Sequence, residues 1–156
     1  MSILSTTILG ALLGQGDDLA RENIAHNKAV LLDCLRSAGA HGAVVEYEGY
    51  GDSGDVTDVC IVGPDMTPMS ILGNVEIHDY DRRYENGQWV YARTAHVLPV
   101  ADALTRFAEA VVVLHHEGYE NNDGGAGEVH FEVAPGHVRL EHRDYYTESI
   151  YTGTEL

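Results

Sequence analysis

Residues 79–93 read DYDRRYENGQWVYAR. Asn86-Gly87 is the pair preferred in two-residue hairpin turns, because both central positions need a positive φ that Asn and Gly tolerate. That turn sets a register: Tyr84 faces Trp89, Arg82 faces Tyr91 and Tyr80 faces Arg93 on one face of a ribbon. The other face carries Asp79, Asp81, Arg83, Val90, Ala92 and Thr94. An antiparallel ribbon therefore sits at the middle of the chain, and the flanking segments say what covers it.

On the C-terminal side, Pro99 suits a first helical turn, and Val100, Leu104, Phe107, Val111 and Leu114 recur at steps of four and three up to Gly118. On the N-terminal side, a helix from about Asp17 to Ala38 has Asp17 or Asp18 as N-cap, apolar positions Ile24, Leu31, Leu35 and Ala38, and a stop at Gly39. Between helix and ribbon, AVVEYEGYGDSGDVTDVCIVG alternates on both sides of Gly51-Asp52-Ser53-Gly54, which predicts a second hairpin. EVHFEVAPGHVRLEH predicts a third, turning at Pro135-Gly136. That register pairs Glu128 with Arg143, His130 with Glu141 and Glu132 with Arg139, and sets Val129, Phe131 and Val133 against Val138, Leu140 and His142. The tail YYTESIYTGTEL reads as a last strand. The expected fold is α+β: an antiparallel meandering sheet of about five to seven strands with two main helices packed on one face. The chain of 156 residues is read as a single domain, with an apolar arm at residues 1–16 packed on the core.

The formal net charge of -16 comes from 25 Asp and Glu against 9 Lys and Arg. Such a field repels nucleic-acid phosphates and anionic lipid heads, and it attracts cations or a basic protein. Direct nucleic-acid binding and membrane association are thus disfavoured. The opening MSILSTTILGALLG is too short to span a bilayer and lacks the basic start of a signal peptide. Cys34 and Cys60 form no Cys-x-x-Cys pair and read as buried thiols of a reducing cytoplasm.

Two stretches are rich in acidic and turn residues. In EYEGYGDSGDVTD, Glu46, Glu48, Asp52, Asp55 and Asp58 crowd along one hairpin, which suits a basic partner or a cation, although Gly-Asp-Ser-Gly is ordinary turn material and a solvated hairpin tip explains it first. In HHEGYENNDGGAGEVHFEV (115–133), Gly118 can end the helix, while Asn121, Asn122 and Asp123 can bond nearby backbone, enough to explain a structural loop. Its carboxylates also suit Ca²⁺ or Mg²⁺. Asp52, Asp55, Glu120, Asp123 and Glu128 would form a metal site if the two loops converge, although the spacing is not that of a calcium-binding helix-loop-helix. Ser53 lacks the Gly-x-Ser-x-Gly context of a nucleophile elbow, no His-Glu-x-x-His is present, and His115 and His116 read as a helix C-cap. The ribbon face of Tyr80, Arg82, Tyr84, Trp89, Tyr91 and Arg93 is equally suited to core and to interface.

The motifs Gly51-Asp52-Ser53-Gly54, Gly118-Tyr119-Glu120-Asn121-Asn122-Asp123-Gly124 and Gly127-Glu128 resemble an uncharacterised bacterial domain family carried on plasmids and phages. Tyr119 stands where that pattern more usually has Trp. The resemblance covers most of the chain after Ala43 and brings no catalytic residues. It implies a mobile-element setting. The leading expectation is a non-enzymatic, inhibitor-type protein that docks on a basic surface of a partner, with no cofactor. A metal-dependent hydrolase using both acidic loops, and a homo-oligomer joined through the ribbon, stand as alternatives.

Overall fold

The computed structural model describes residues 5–13, 16–121 and 123–156, with residues 5–13 described by their backbone. Residues 1–4, 14 and 15 of the expected arm, and Asn122 of the expected loop, lie outside the described residues. The elements are β1 (Ser5–Leu13), α1 (Gly16–Ser37), β2 (Gly42–Tyr50), β3 (Ser53–Val62), β4 (Pro68–Met69), β5 (Asn74–Glu85), β6 (Gln88–Pro99), α2 (Val100–His116), β7 (Gly125–Glu132) and β8 (His137–Asp144).

The antiparallel α+β expectation is met, with the strands divided between a three-stranded sheet of order β1-β6-β5 and a five-stranded sheet of order β4-β3-β2-β7-β8. The arm contributes β1, which pairs with β6 from Ser5↔Val97 to Leu13↔Val90. Helix α1 packs on β5 and α2, while α2 also touches β2, β3, β5 and β6. One core cluster therefore runs through both sheets: Leu31 and Leu35 of α1, Leu104 and Phe107 of α2, Val45, Ile77, Leu98 and Val129 of the strands. The helical stripe read from sequence supplies most of the α2 contribution.

Two buried asparagines, Asn23 and Asn27, lie one turn apart on α1 and fix how it docks. The Asn27 amide donates to the His78 carbonyl at 2.8 Å and its oxygen accepts from the His78 N–H at 2.7 Å, so the side chain satisfies backbone groups on the open edge of β5. Asn23 Oδ1 accepts from Arg93 Nε at 3.1 Å.

The β5–β6 ribbon has the expected register: Tyr84↔Trp89, Arg82↔Tyr91 and Tyr80↔Arg93 are Cα partners. Asn86 and Gly87 both take positive φ, 52° and 80°. The β2–β3 hairpin turns through Gly51-Asp52 between Tyr50 and Ser53.

The third hairpin departs from its expected register by two residues. Glu132 pairs with His137, Val129 with Leu140 and Glu128 with Glu141, so four residues rather than two form the connection. Because side chains alternate with period two, a slip of two preserves both faces. The expected charge pairs still meet as diagonals, Arg143 with Glu128 and Arg139 with Glu132, and His130 Nε2 lies 3.5 Å from Glu141.

The tail is not a strand. Residues 145–156 carry no regular structure, and Tyr146, Ile150 and Tyr151 are exposed. After the Tyr145 N–H bonds the Gly124 carbonyl at 2.9 Å, the tail pairs with no strand among the described residues, and strand propensity without a partner forms nothing. Among the described residues no helix is long and apolar enough to cross a membrane, which says nothing of strands.

Candidate functional site

The two acidic motifs converge beside the C-terminal half of α2. A cleft of about 510 Å³ is lined by Asp52, Ser53, Gly54, Asp55 and Val56 of the hairpin, Ala108, Glu109, Val112 and Val113 of α2, Tyr119 and Glu120 of the following loop, and Tyr47 of β2. Glycine makes this convergence sterically feasible. A Cβ on Gly54 would lie 2.3 Å from the Tyr119 hydroxyl, and one on Gly49 would lie 2.9 Å from Glu120 Cβ. Gly124, at φ +84°, would place a Cβ 2.1 Å from the Gly49 carbonyl oxygen. The motif glycines thus let loop and hairpin touch.

The cleft floor is apolar and buried: Ala108 and Val112 are core residues, and Tyr47 closes one side. The Tyr47 hydroxyl lies 2.5 Å from His142 Nδ1, and His142 Nε2 lies 2.8 Å from Asp144 Oδ1. In the tautomer whose Nε2–H donates to Asp144, Nδ1 is the acceptor for the Tyr47 hydroxyl. Burial first, then the charge neighbourhood of Tyr119, pushes the Tyr47 phenol up to about 12, so it keeps its proton. The His142 ring is also stacked on His116 at 3.8 Å. Gly127 gives the room, since a Cβ there would lie 2.4 Å from the Tyr47 hydroxyl. His116 does not behave as the protonated C-cap read from sequence: burial, and then His142, lower its pKa.

The rim is acidic. Asp52, Asp55, Glu109 and Glu120 line it, and among the described residues no Lys, Arg or His does. Burial, followed by Asp55, raises the Glu109 carboxyl above its ordinary value, with Arg106 opposing. A carboxyl held above its unfolded pKa stabilises the fold fully below that unfolded value, and the contribution is lost as pH rises through the folded value. Glu109→Gln is therefore expected to raise the melting temperature slightly at pH 7, with the advantage vanishing below about pH 4.5. Glu109 is exposed, so solvent screening keeps the expected gain in melting temperature small. Calorimetric melts at both pH values check it, and a Gln variant less stable than the parent at pH 7 contradicts it.

The other sequence candidates scatter. Asp123 lines a neighbouring hollow with His116, Asp144 and Tyr145. Glu128 is on the opposite, helix-free face of the five-stranded sheet, where hydrogen bonding from Arg143 holds its carboxyl below the ordinary value. The five-residue metal set therefore does not assemble. Asp52, Asp55 and Glu120 share the cleft, yet they do not supply three ligand atoms within 4.8 Å of one another, as one ion requires. Glu46 is on the helix-free face, directly between Asp58 of β3 and Glu128 of β7, and Glu48 accepts from the Tyr145 hydroxyl at 2.8 Å. The acidic partner set is thus split between cleft and sheet face.

The aromatic ribbon also divides. Tyr84 and Trp89 are 63% and 48% exposed, stacked edge to face at 5.3 Å with the Arg82 guanidinium 5.1 Å over the Trp89 ring. Tyr80 and Tyr91 are half-buried near α1, and Arg93 bonds Glu22 and Asn23 of that helix. The ribbon base is half-buried beside α1 and its tip is surface. Glu109, Tyr47 and the His142–Asp144 pair were missed from sequence. A legible sign of the last two was Gly125-Ala126-Gly127, small residues in a strand where something large must sit opposite.

A family model described as a family of unknown function, DUF6878, matches residues 23–155. The chain belongs to that family. The matched span begins within α1 and contains every residue lining the cleft, so the converging loops belong to the family's domain. No curated protein and no solved structure matches the chain.

Proposed function

We propose that the protein is a non-enzymatic binding protein, of inhibitor type, that captures a basic side chain of a partner protein in the cleft beside α2. The observation that carries this is the lining: an apolar floor under a rim of Asp52, Asp55, Glu109 and Glu120 with no cation among them. An arginine fits both parts, its aliphatic stem on Ala108, Val112 and Val113 and its guanidinium against the carboxylates. The net charge of -16 steers a basic surface toward the domain and favours rapid, salt-sensitive association. The exposed Tyr84, Trp89 and Arg82 at the ribbon tip support a second contact area. The motif resemblance supports a plasmid- or phage-borne setting and a partner in the host's nucleic-acid-handling machinery. The free Cys34 and Cys60 suit a reducing cytoplasm.

A labelled oligo-arginine peptide, followed by fluorescence anisotropy, tests the reading. Asp52→Asn with Asp55→Asn is expected to weaken binding roughly tenfold, about 1.4 kcal/mol. Neutralising two exposed carboxylates elsewhere, Asp33→Asn with Glu76→Gln, should change it by less than about twofold once salt screens the general field. Equal losses in the two variants would show that only net charge matters and would overturn the cleft as the binding site.

A further inference from the structure

On the helix-free face of the five-stranded sheet, three potential metal ligands meet. Glu128 and His130 are two apart on β7 and so share that face, and Glu141 of β8 is the direct partner of Glu128. Among the described residues this is the group of His, Cys, Asp or Glu whose ligand atoms all lie within 4.8 Å of one another. We propose that Glu128, His130 and Glu141 form a surface site for a divalent transition metal of the Zn²⁺ class.

His130 Nε2 is buried yet has no hydrogen-bond partner. A buried nitrogen left unsatisfied costs free energy, and a metal ion is one way to satisfy it. It points at two carboxylate oxygens, Glu141 Oε2 at 3.5 Å and Glu128 Oε1 at 3.9 Å. Neither contact is a hydrogen bond, although both lie within ion-pair range. Ligands about 2.1 Å from a tetrahedral ion lie roughly 3.4 Å from one another, so both contacts are close to the spacing an ion would impose.

Both carboxylates are already oriented by arginines, Glu141 through its outer oxygen and Glu128 through both oxygens, including the Oε1 that faces His130. Arg139 Nε donates to Glu141 Oε1 at 3.0 Å, and Arg143 donates to Glu128 Oε2 and, at 3.3 Å, to Oε1. Outer hydrogen bonds of this kind orient ligating carboxylates. The alternating partners along two paired strands fix the spacing more firmly than a loop could. Imidazole with two carboxylates suits a borderline ion better than the all-oxygen set that Ca²⁺ or Mg²⁺ prefers. Glu141 remains 47% exposed, which leaves the remaining coordination positions open to water or to a group from outside. The site is on the far side of the sheet from the cleft, so the two proposals stand or fall separately.

The competing account is a protonated His130 shared between the two carboxylates with no metal at all. Isothermal titration of the full chain, stripped with EDTA, with Zn²⁺ at pH 7.5 separates them, and Co²⁺ substitution adds a visible ligand-field spectrum. The expected result is one equivalent bound, with affinity at least tenfold weaker in His130→Gln and in Glu141→Gln, and unchanged in His137→Gln, which alters a histidine outside the group. Glu141 is half-exposed, so Glu141→Gln reports even where His130→Gln fails to fold. Absence of stoichiometric Zn²⁺ binding, or binding that survives both ligand variants, would overturn the site. Tighter binding of Mg²⁺ or Ca²⁺ than of Zn²⁺ would overturn the assigned class.

Discussion

Gly124→Val is expected to be among the most damaging single changes in the protein. Gly124 has φ +84°, a region that a β-branched residue enters only as an outlier, and a Cβ there meets the Gly49 carbonyl oxygen at 2.1 Å and Tyr50 Cα at 2.8 Å. Both obstacles are backbone and cannot rotate away. Strain of this type costs on the order of 1–3 kcal/mol, and forcing atoms into a filled space costs about as much again. A drop in melting temperature of roughly 10 °C follows for a domain of this size. Asp123→Asn is expected to stay within about 0.5 kcal/mol of the parent, because Asp123 is exposed and Asn keeps an acceptor oxygen. Thermal and urea melts of the two variants are the measurement. A Gly124→Val protein as stable as the parent would mean that the loop does not rest on β2 and that the cleft has no fixed wall.

Phe107→Ala is expected to cost about 3–5 kcal/mol, the range for deleting a buried aromatic ring. The side chain is 2% exposed and its ring lies 5.2 Å from that of Phe131. Phe107 belongs to the helix that touches both sheets, so its ring helps join them into one core. Urea unfolding should show a lower midpoint with the slope retained. Combined with Phe131→Ala, the loss should fall short of the sum, since the two rings share one interaction. A cost below about 1 kcal/mol, the level of an ordinary surface change, would mean that the ring is not part of the core.

The β5–β6 ribbon and α2 were legible because their information is local. A two-residue Asn86-Gly87 turn admits one register, and an apolar stripe at steps of three and four fits one helix face. The β7–β8 hairpin was legible only in part. Its four-residue connection is compatible with more than one register, and opposite charges two residues apart satisfy either, so alternation fixed the faces while the pairing stayed ambiguous. The last strand failed for a related reason: propensity is local, but a strand needs an edge supplied from elsewhere.

From residues alone came the two helices, the three hairpins, the acidic field and the suspicion that the two Gly-rich acidic motifs matter. That these motifs touch was decided by the tertiary fold. The contact depends on α2 packing against β2 and β3, which no short-range pattern encodes, and the glycines that permit it read in sequence as ordinary turn residues. Glu109 looked like one more carboxylate on a helix until packing set it above the hairpin tip. His130 and Glu141 were seen in sequence as an ion pair. Their standing as ligands with Glu128 rests on how close Nε2 and the facing oxygens lie, and that is set by strand register and by two arginines bonded to the carboxylates, interactions largely between different strands.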